Sequence, residues 1–394
     1  MVASSPSSSG FVLIPPPGIA PDERPSLTVS SASSSPNSPL LRLHAEQQFA
    51  DELAALRAMD DRQRPPGWQL SPWGVKTYLL GGTLPDGTEI SAKYIGRPRL
   101  IEIAIATLAT DRALLLYGTP GTAKTWVAEH LSAAISGTST LLIQGTAGTD
   151  ESALRYGWNY ARLLAEGPSP AALVESPVMN GMKTGRLVRI EELTRIPTEV
   201  QDSLITILSE KSMPVPELNT EIQAAKGFNV IATANNRDKG VNELSSALLR
   251  RFNIVVLPVP DSLEDEVKIV QSRSEQLGRA LELPAEKPAL EEVRRIVTIF
   301  RELRNGTTID GKSRLKSPSG TLSTAEAISV ISSGMAMAAY YGDGRLTARD
   351  LISGLIGAVV KDPVQDQLVW EEYVQTTIKE RPEWKDLYRA SREV

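Results

Sequence analysis

Apolar residues along this chain recur at two different spacings, and the changes between them divide it into segments. Short apolar runs at 113–117, 140–144, 187–190, 228–233 and 254–257 predict strands. Between them, apolar residues spaced three and four apart predict helices over 100–110, 126–136 and 197–211. In the last of these Val200, Leu204, Ile207 and Leu208 share one face, which is expected to be core. Strands alternating with helices predict an α/β domain over 98–260: a mostly parallel sheet flanked by helices on both faces. After Pro260-Asp261 the period is helical throughout, at 263–278, 289–304, 323–340 and 347–360. Residues 261–394 therefore read as a separate C-terminal α-helical domain.

The N-terminal part follows other rules. Residues 1–40 hold 12 serines and 8 prolines with no sustained period. Such a segment cannot bury enough surface to offset backbone entropy and is expected to be a disordered tail. Leu41, Phe49, Leu53 and Leu56 predict a helix over 41–57, which Pro65-Pro66-Gly67 ends. The runs 75–80 and 88–94, either side of Pro85-Asp86-Gly87, predict a small β-hairpin. Residues 41–97 thus read as a module preceding the main domain. No internal repeat is present.

Composition narrows the chemistry. At 394 residues two packed domains are expected. A net charge of -5 argues against a general nucleic-acid binder, whose footprint is basic. Cysteine is absent, which excludes disulfides and thiolate ligation, and His44 and His130 alone argue against a histidine zinc site. No run is long and apolar enough to span a bilayer, and the N-terminus lacks a signal-peptide pattern, so a cytoplasmic protein is expected.

Within the α/β segment, Gly118-Thr119-Pro120-Gly121-Thr122-Ala123-Lys124-Thr125 follows a predicted strand and opens a predicted helix. That context is what a phosphate-binding loop requires, because backbone N–H groups and the helix N-terminus offer positive partial charge to phosphate oxygens. Lys124 is expected on the β- and γ-phosphates and the Thr125 hydroxyl on Mg²⁺. The strict pattern has glycine where Ala123 stands. The run 187–190 ends in Glu191-Glu192, at the sheet edge where open α/β sheets bind ligands. Glu191 is expected to hold the Mg²⁺ hydration shell, and Glu192 to orient and deprotonate the attacking water. Arg189 interrupts that apolar run. A further strand ends in Asn235-Asn236, amides able to align the water or touch the γ-phosphate.

Together these residues resemble the AAA+ superfamily, and within it the MoxR branch of the clade with an insertion in helix 2. The resemblance covers about residues 95–360. It rests on the phosphate loop with Ala before Lys, on Glu191-Glu192 and the segment after it, on Ile231-Ala232-Thr233-Ala234-Asn235, and on Leu248-Leu249-Arg250-Arg251-Phe252. It implies Asn235 as first sensor, with Asn236 beside it, and Arg251 as the arginine finger serving a neighbouring subunit, with Arg250 beside it. Residues 148–167 and 176–185 fall at the helix-2 insertion, and 211–228 at the hairpin before the first sensor.

The family's second-sensor arginine follows Ser-Pro in the helical domain, whereas Ser317-Pro318 here precedes Ser319; whether Arg314 or Lys316 substitutes stays open, a solvated loop being the commoner reason for a basic residue there. The resemblance implies a homo-oligomeric ring, a hexamer, that hydrolyses ATP to remodel or mature a client protein, commonly through a von Willebrand factor A-domain partner. Two alternatives stay open: a GTP-driven restriction motor of the McrB type, and a nucleotide-switched scaffold with little turnover. No residue in the sequence separates adenine from guanine.

Overall fold

A computed structural model of the protein describes residues 40–235 and 242–393. From Leu41 onward these form one compact unit. The helix expected over 41–57 begins later and is split at Phe49, giving α1 (Ala45–Gln48) and α2 (Ala50–Met59). The strand expected over 75–80 is overturned. Residues Pro72–Leu80 form helix α3: Ser71 caps it by accepting from the Gly74 amide, and Pro72 takes a first-turn position where its missing N–H has no cost. Val75, Tyr78 and Leu79 are all buried, at the spacing of one helix face. The hairpin shrinks to β1 (Gly82–Thr83) and β2 (Glu89–Ile90).

The α/β part then runs α4 (Pro98–Leu108), β3 (Ala113–Gly118), α5 (Lys124–Ser136), β4 (Leu142–Gln144) and α6 (Glu151–Leu154). A hairpin of β5 (Tyr156–Trp158) and β6 (Leu173–Glu175) brackets α7 (Tyr160–Glu166), and α8 (Pro177–Thr184) leads to β7 (Leu187–Glu191). The helix expected over 197–211 is interrupted at Asp202 into α9 (Thr198–Gln201) and α10 (Ser203–Glu210). Leu204, Ile207 and Leu208 are buried as expected, with Val200 half-buried. A second hairpin, β8 (Ser212–Val215) and β9 (Thr220–Gln223), precedes β10 (Asn229–Asn235), α11 (Ser246–Leu249) and β11 (Phe252–Val256).

The sheet order is β11-β3-β10-β7-β4, and every neighbouring pair is parallel. Alternation along β3 sends Leu114 and Leu116 to one face, packed with Val127 and Leu131 of α5, and Ala113 and Leu115 to the other, packed with Val188 and Leu204. Leu53, Leu56 and Tyr78 from the N-terminal segment belong to the first of these cores. Register sets Asn235 opposite Gly118 and Gln144 opposite Glu191. The ends of β3, β7 and β10 therefore share one carboxyl edge, where such sheets place their ligands.

After Pro260 the chain is helical: α12 (Leu263–Ala280), α13 (Leu290–Asn305), α14 (Thr324–Tyr341), α15 (Ala348–Val359), α16 (Gln365–Tyr373) and α17 (Lys385–Ala390). These enclose a separate apolar core around Phe300, Ile331, Leu351 and Tyr373. Three of the helices meet at the fully buried Glu266. Its carboxylate accepts from Arg301 and Arg304 of α13 and from the Thr324 hydroxyl at the start of α14. A buried carboxylate needs such partners, because desolvation otherwise drives it neutral. The same Arg301 donates to Pro260 O at 3.0 Å and Asp261 O at 3.0 Å, tying this lid to the segment that leads into it.

Candidate nucleotide site

The loop between β3 and α5 holds a conformation few residues tolerate. Gly121 has φ +78°, and a Cβ there would come 2.3 Å from the Ser323 Cβ at the start of α14. Ala123, with φ +62°, caps α5 in the left-handed region, which explains why the strict loop pattern has glycine at this position. Lys124 Nζ donates to Gly118 O at 3.1 Å and Thr119 O at 2.8 Å, so its charge is held over the loop. Thr122 Oγ1 donates to Thr119 O at 2.9 Å.

The acidic pair splits into two environments. Glu191 is buried, and its Oε2 accepts from Thr125 Oγ1 at 2.8 Å and Thr233 Oγ1 at 2.6 Å. Its Oε1 lies 3.3 Å from the Arg189 guanidinium, which also donates to Ser139 O at 3.1 Å. Burial pushes the Arg189 pKa down, and the Glu191 charge works against that shift. The arginine that interrupts the apolar run is thus the counter-ion of the buried carboxylate. Glu192 turns away at φ +56° while its amide donates to Thr233 Oγ1. Its carboxylate accepts from Asn235 Nδ2 at 3.1 and 3.0 Å and from Arg195 Nε at 3.3 Å.

These groups border a cavity of about 420 Å³. Pro120, Gly121, Thr122, Ala123, Lys124 and Thr125 line it, with Glu192 and Asn235 opposite. Gly118 and Thr119 support it through the carbonyls that hold Lys124, and Glu191 stands behind Thr125. Asn236 lies outside the described residues. Arg251 does not line this cavity: it donates to Ser209 Oγ at 2.8 Å and Ala247 O at 2.7 Å near the end of α11. Arg250, beside it, is exposed.

Neither Arg314 nor Lys316 lines the cavity. Thr307 and Arg314 form an isolated bridge, and Lys316 pairs with Glu372 at 2.7 Å. Ser319 is bound to Asp366, so Ser317-Pro318-Ser319 is a loop and not the start of a lid helix. One helix that does reach the cavity starts after Ser323, and it presents Thr324 and Ala325. The arginines of α13 do not line the cavity either. Arg294 pairs with Glu264, Arg295 with Asp386, and Arg301 and Arg304 with Glu266.

Sequence reasoning missed part of the lining. Arg42, the segment Ala92, Lys93, Tyr94 and Ile95, and Trp126, Ile269 and Arg273 all face the cavity. Trp126 adjoins Thr125 and was open to recognition on that ground. Arg42 and Arg273 are isolated arginines whose placement depends on long-range packing.

Comparison with known proteins bears on these observations. Residues 113–252 match the family described as AAA domain (dynein-related subfamily), and residues 264–394 match the YehL-like AAA+ ATPase C-terminal domain. The protein YehL of Escherichia coli K12 is 41% identical over 362 residues, covering 90% of this chain and 98% of that one. A Staphylococcus haemolyticus protein, SH1500, is 29% identical over 168 residues, covering 42% of this chain and 63% of its own. Among solved structures, NtrX of Brucella abortus in complex with ADP aligns with a TM-score of 0.46 and 14% identity, over 76% of this chain and 62% of that one. RuvB of Thermotoga maritima gives 0.41 and 16%, over 73% and 76%.

Proposed function

The chain belongs to the YehL-like AAA+ ATPases, and from that premise we propose that it works as a ring, a hexamer of the MoxR-like kind, remodelling a client protein. The observation that carries the ring is the position of Arg251. It is half-buried outside its own chain's cavity, held by Ser209 and Ala247. A permanently charged, planar guanidinium there suits a neighbouring subunit's phosphates at the transition state. Docking of a client, directly or through a von Willebrand factor A-domain adaptor, is supported by α7 and its hairpin. Tyr160, Leu164 and Val174 there are 74%, 89% and 50% exposed, apolar surface that a partner would cover.

In this reading Lys124 binds the β- and γ-phosphates, leaving its loop carbonyls for the stronger anionic partner. Glu192 accepts a proton from the attacking water, which Asn235 aligns from the end of the adjacent strand. The residues fit a Mg²⁺ ion: the Thr125 hydroxyl and Glu191 carboxylate are hard oxygen donors 2.8 Å apart at the loop's end. Among the described residues no group of three or more acidic, histidine or cysteine side chains could hold a metal alone, which suits an ion that shares its shell with phosphates. Held there by Thr125 and Glu191, Mg²⁺ would supply positive charge that offsets the charge developing on the phosphates. Among the described residues no helix is long and apolar enough to cross a membrane.

The test is ATP binding and steady-state phosphate release, with mass measured in solution. Wild type should bind ATP, assemble on binding it and hydrolyse it. Lys124→Ala should lose one charge-assisted contact, about 1.5–3 kcal/mol, and with it at least tenfold in affinity. A wild-type protein that stays monomeric with ATP at working concentrations would overturn the ring.

A further inference from the structure

Among the described residues, four cationic side chains line the nucleotide cavity: Arg42, Lys93, Lys124 and Arg273. Arg42 pairs with Glu129 at 2.6 Å, Lys93 pairs with Glu52, and Lys124 is held by loop carbonyls. Arg273 is different. Its guanidinium carbon stands 3.5 Å from the centroid of the Trp126 ring, and its polar contact is the neutral amide of Gln276. No carboxylate among the described residues forms an ion pair with it. Burial, reinforced by the Arg42 charge and opposed by that of Glu129, lowers its pKa from the ordinary arginine range to about 10, so it remains a cation at neutral pH in a place that solvates it poorly.

Its location matters as much as its charge. Arg273 lies one helical turn beyond Ile269 on α12, and both face the cavity. Trp126 is in the first turn of α5, directly after Thr125, where backbone N–H groups point toward bound phosphate. The indole, whose Nε1 donates to Lys93 O at 2.8 Å, thus carries a lid arginine in the wall of the same cavity that the phosphate loop lines. On the other lid helix that reaches the cavity, α14, the lining residues are Thr324, Ala325 and Ile328, none of them charged.

We propose that Arg273 binds the phosphate tail of the nucleotide from the lid, so that α12 and not α14 carries the charge coupling lid to nucleotide. The inference rests on the ATP-binding reading above. Stacking on Trp126 orients a planar fork of N–H donors, and phosphate oxygens supply the direct anionic contact that no carboxylate among the described residues makes. Lid position then depends on phosphate occupancy, because the same side chain touches both. Arg273 is a binding residue in this scheme and takes no proton.

The experiment is titration of full-length protein with ATP and with ADP, using wild type, Arg273→Met, Arg273→Lys and Trp126→Phe. The apo melting temperature of each is measured alongside. Arg273→Met keeps an apolar stem against Trp126 but no charge; it should weaken both nucleotides at least tenfold while leaving apo melting within a few degrees. Arg273→Lys keeps the charge and should recover most of that loss. Wild-type tryptophan fluorescence should change on ADP addition, and the change should be largely absent in Trp126→Phe. Nucleotide affinities of Arg273→Met within threefold of wild type would overturn the proposal. So would a lower apo melting temperature with unchanged affinity, which would make Arg273 a strut between lid and sheet. If Arg273→Met does not fold, Arg273→Lys decides: a loss as large as that of Lys124→Ala, despite the retained charge, overturns it. Wild-type protein that binds neither nucleotide defeats the ATP-binding reading itself, a result distinct from all of these.

Discussion

Asn235 donates from one amide nitrogen to both carboxylate oxygens of Glu192, at 3.1 and 3.0 Å, across the ends of two adjacent parallel strands. Arg195 holds the same carboxylate from outside. Glu192 is therefore held at the cavity wall by partners on both sides.

Glu192→Gln should keep ATP affinity within about threefold and lower turnover by roughly 10²–10⁴, the range for a lost general base. Asn235→Ala should lower kcat more than it raises KM, because Glu192 loses its aligning partner while the phosphate loop is untouched. Initial-rate kinetics over a range of ATP concentrations read both. If Glu191→Gln stops turnover and Glu192→Gln does not, the two carboxylates have exchanged roles.

Arg251→Ala subunits should bind nucleotide normally and poison mixed rings. A finger that serves the neighbouring site removes transition-state stabilisation in trans. Activity is measured against mutant fraction in assemblies verified as mixed. A strictly linear decline would count against the trans role, and Arg250 would be the next residue to test.

Ala123→Gly should stabilise the protein. A left-handed alanine costs about 1–2 kcal/mol, and glycine returns part of this as extra unfolded-chain entropy, leaving a net gain of about 0.5–1 kcal/mol. Ala123→Val should destabilise instead, since a β-branched side chain tolerates φ +62° poorly. Urea midpoints at constant m-value read both, and a loss with glycine would contradict the strain.

The fully buried His130 lies 2.9 Å through Nδ1 from the Tyr78 hydroxyl, and its Nε2 has no hydrogen-bond partner among the described residues. Burial, aided by Lys93, Arg273, Arg189 and Arg42, holds its pKa well below 6.5. The folded chain thus refuses a proton that the unfolded chain accepts. The associated stability is complete above pH 6.5 and falls as pH drops below it, by at most about 1.4 kcal/mol per pH unit. Urea unfolding at pH 7.5 and 5.5 should show a steeper loss in wild type than in His130→Asn. Equal losses in the two would remove His130 as the cause.

The sequence alone determined the repeating pattern and the chemistry that is local to it. Strand alternation fixed the parallel sheet, and helical spacing fixed α12 to α15. Gly118 to Thr125 is legible because one contiguous loop must satisfy phosphate with its own backbone. Glu191, Glu192 and Asn235 could be found because parallel strands end at a common edge, so position along a strand already encodes place in the site. Local pattern failed where two local rules competed. Residues 75–80 read as a strand by composition, yet Ser71-Pro72 caps and starts a helix whose buried face includes Val75, Tyr78 and Leu79. Tertiary packing alone decided the rest. Arg189 became the partner of Glu191 because both are buried at one strand end, where neither charge could remain single. Arg273 reached Trp126 across 147 positions, and Ser323 rather than Ser317-Pro318 met Gly121. No period or spacing encodes such meetings, because they depend on how the lid helices pack around Glu266 and against the nucleotide loop.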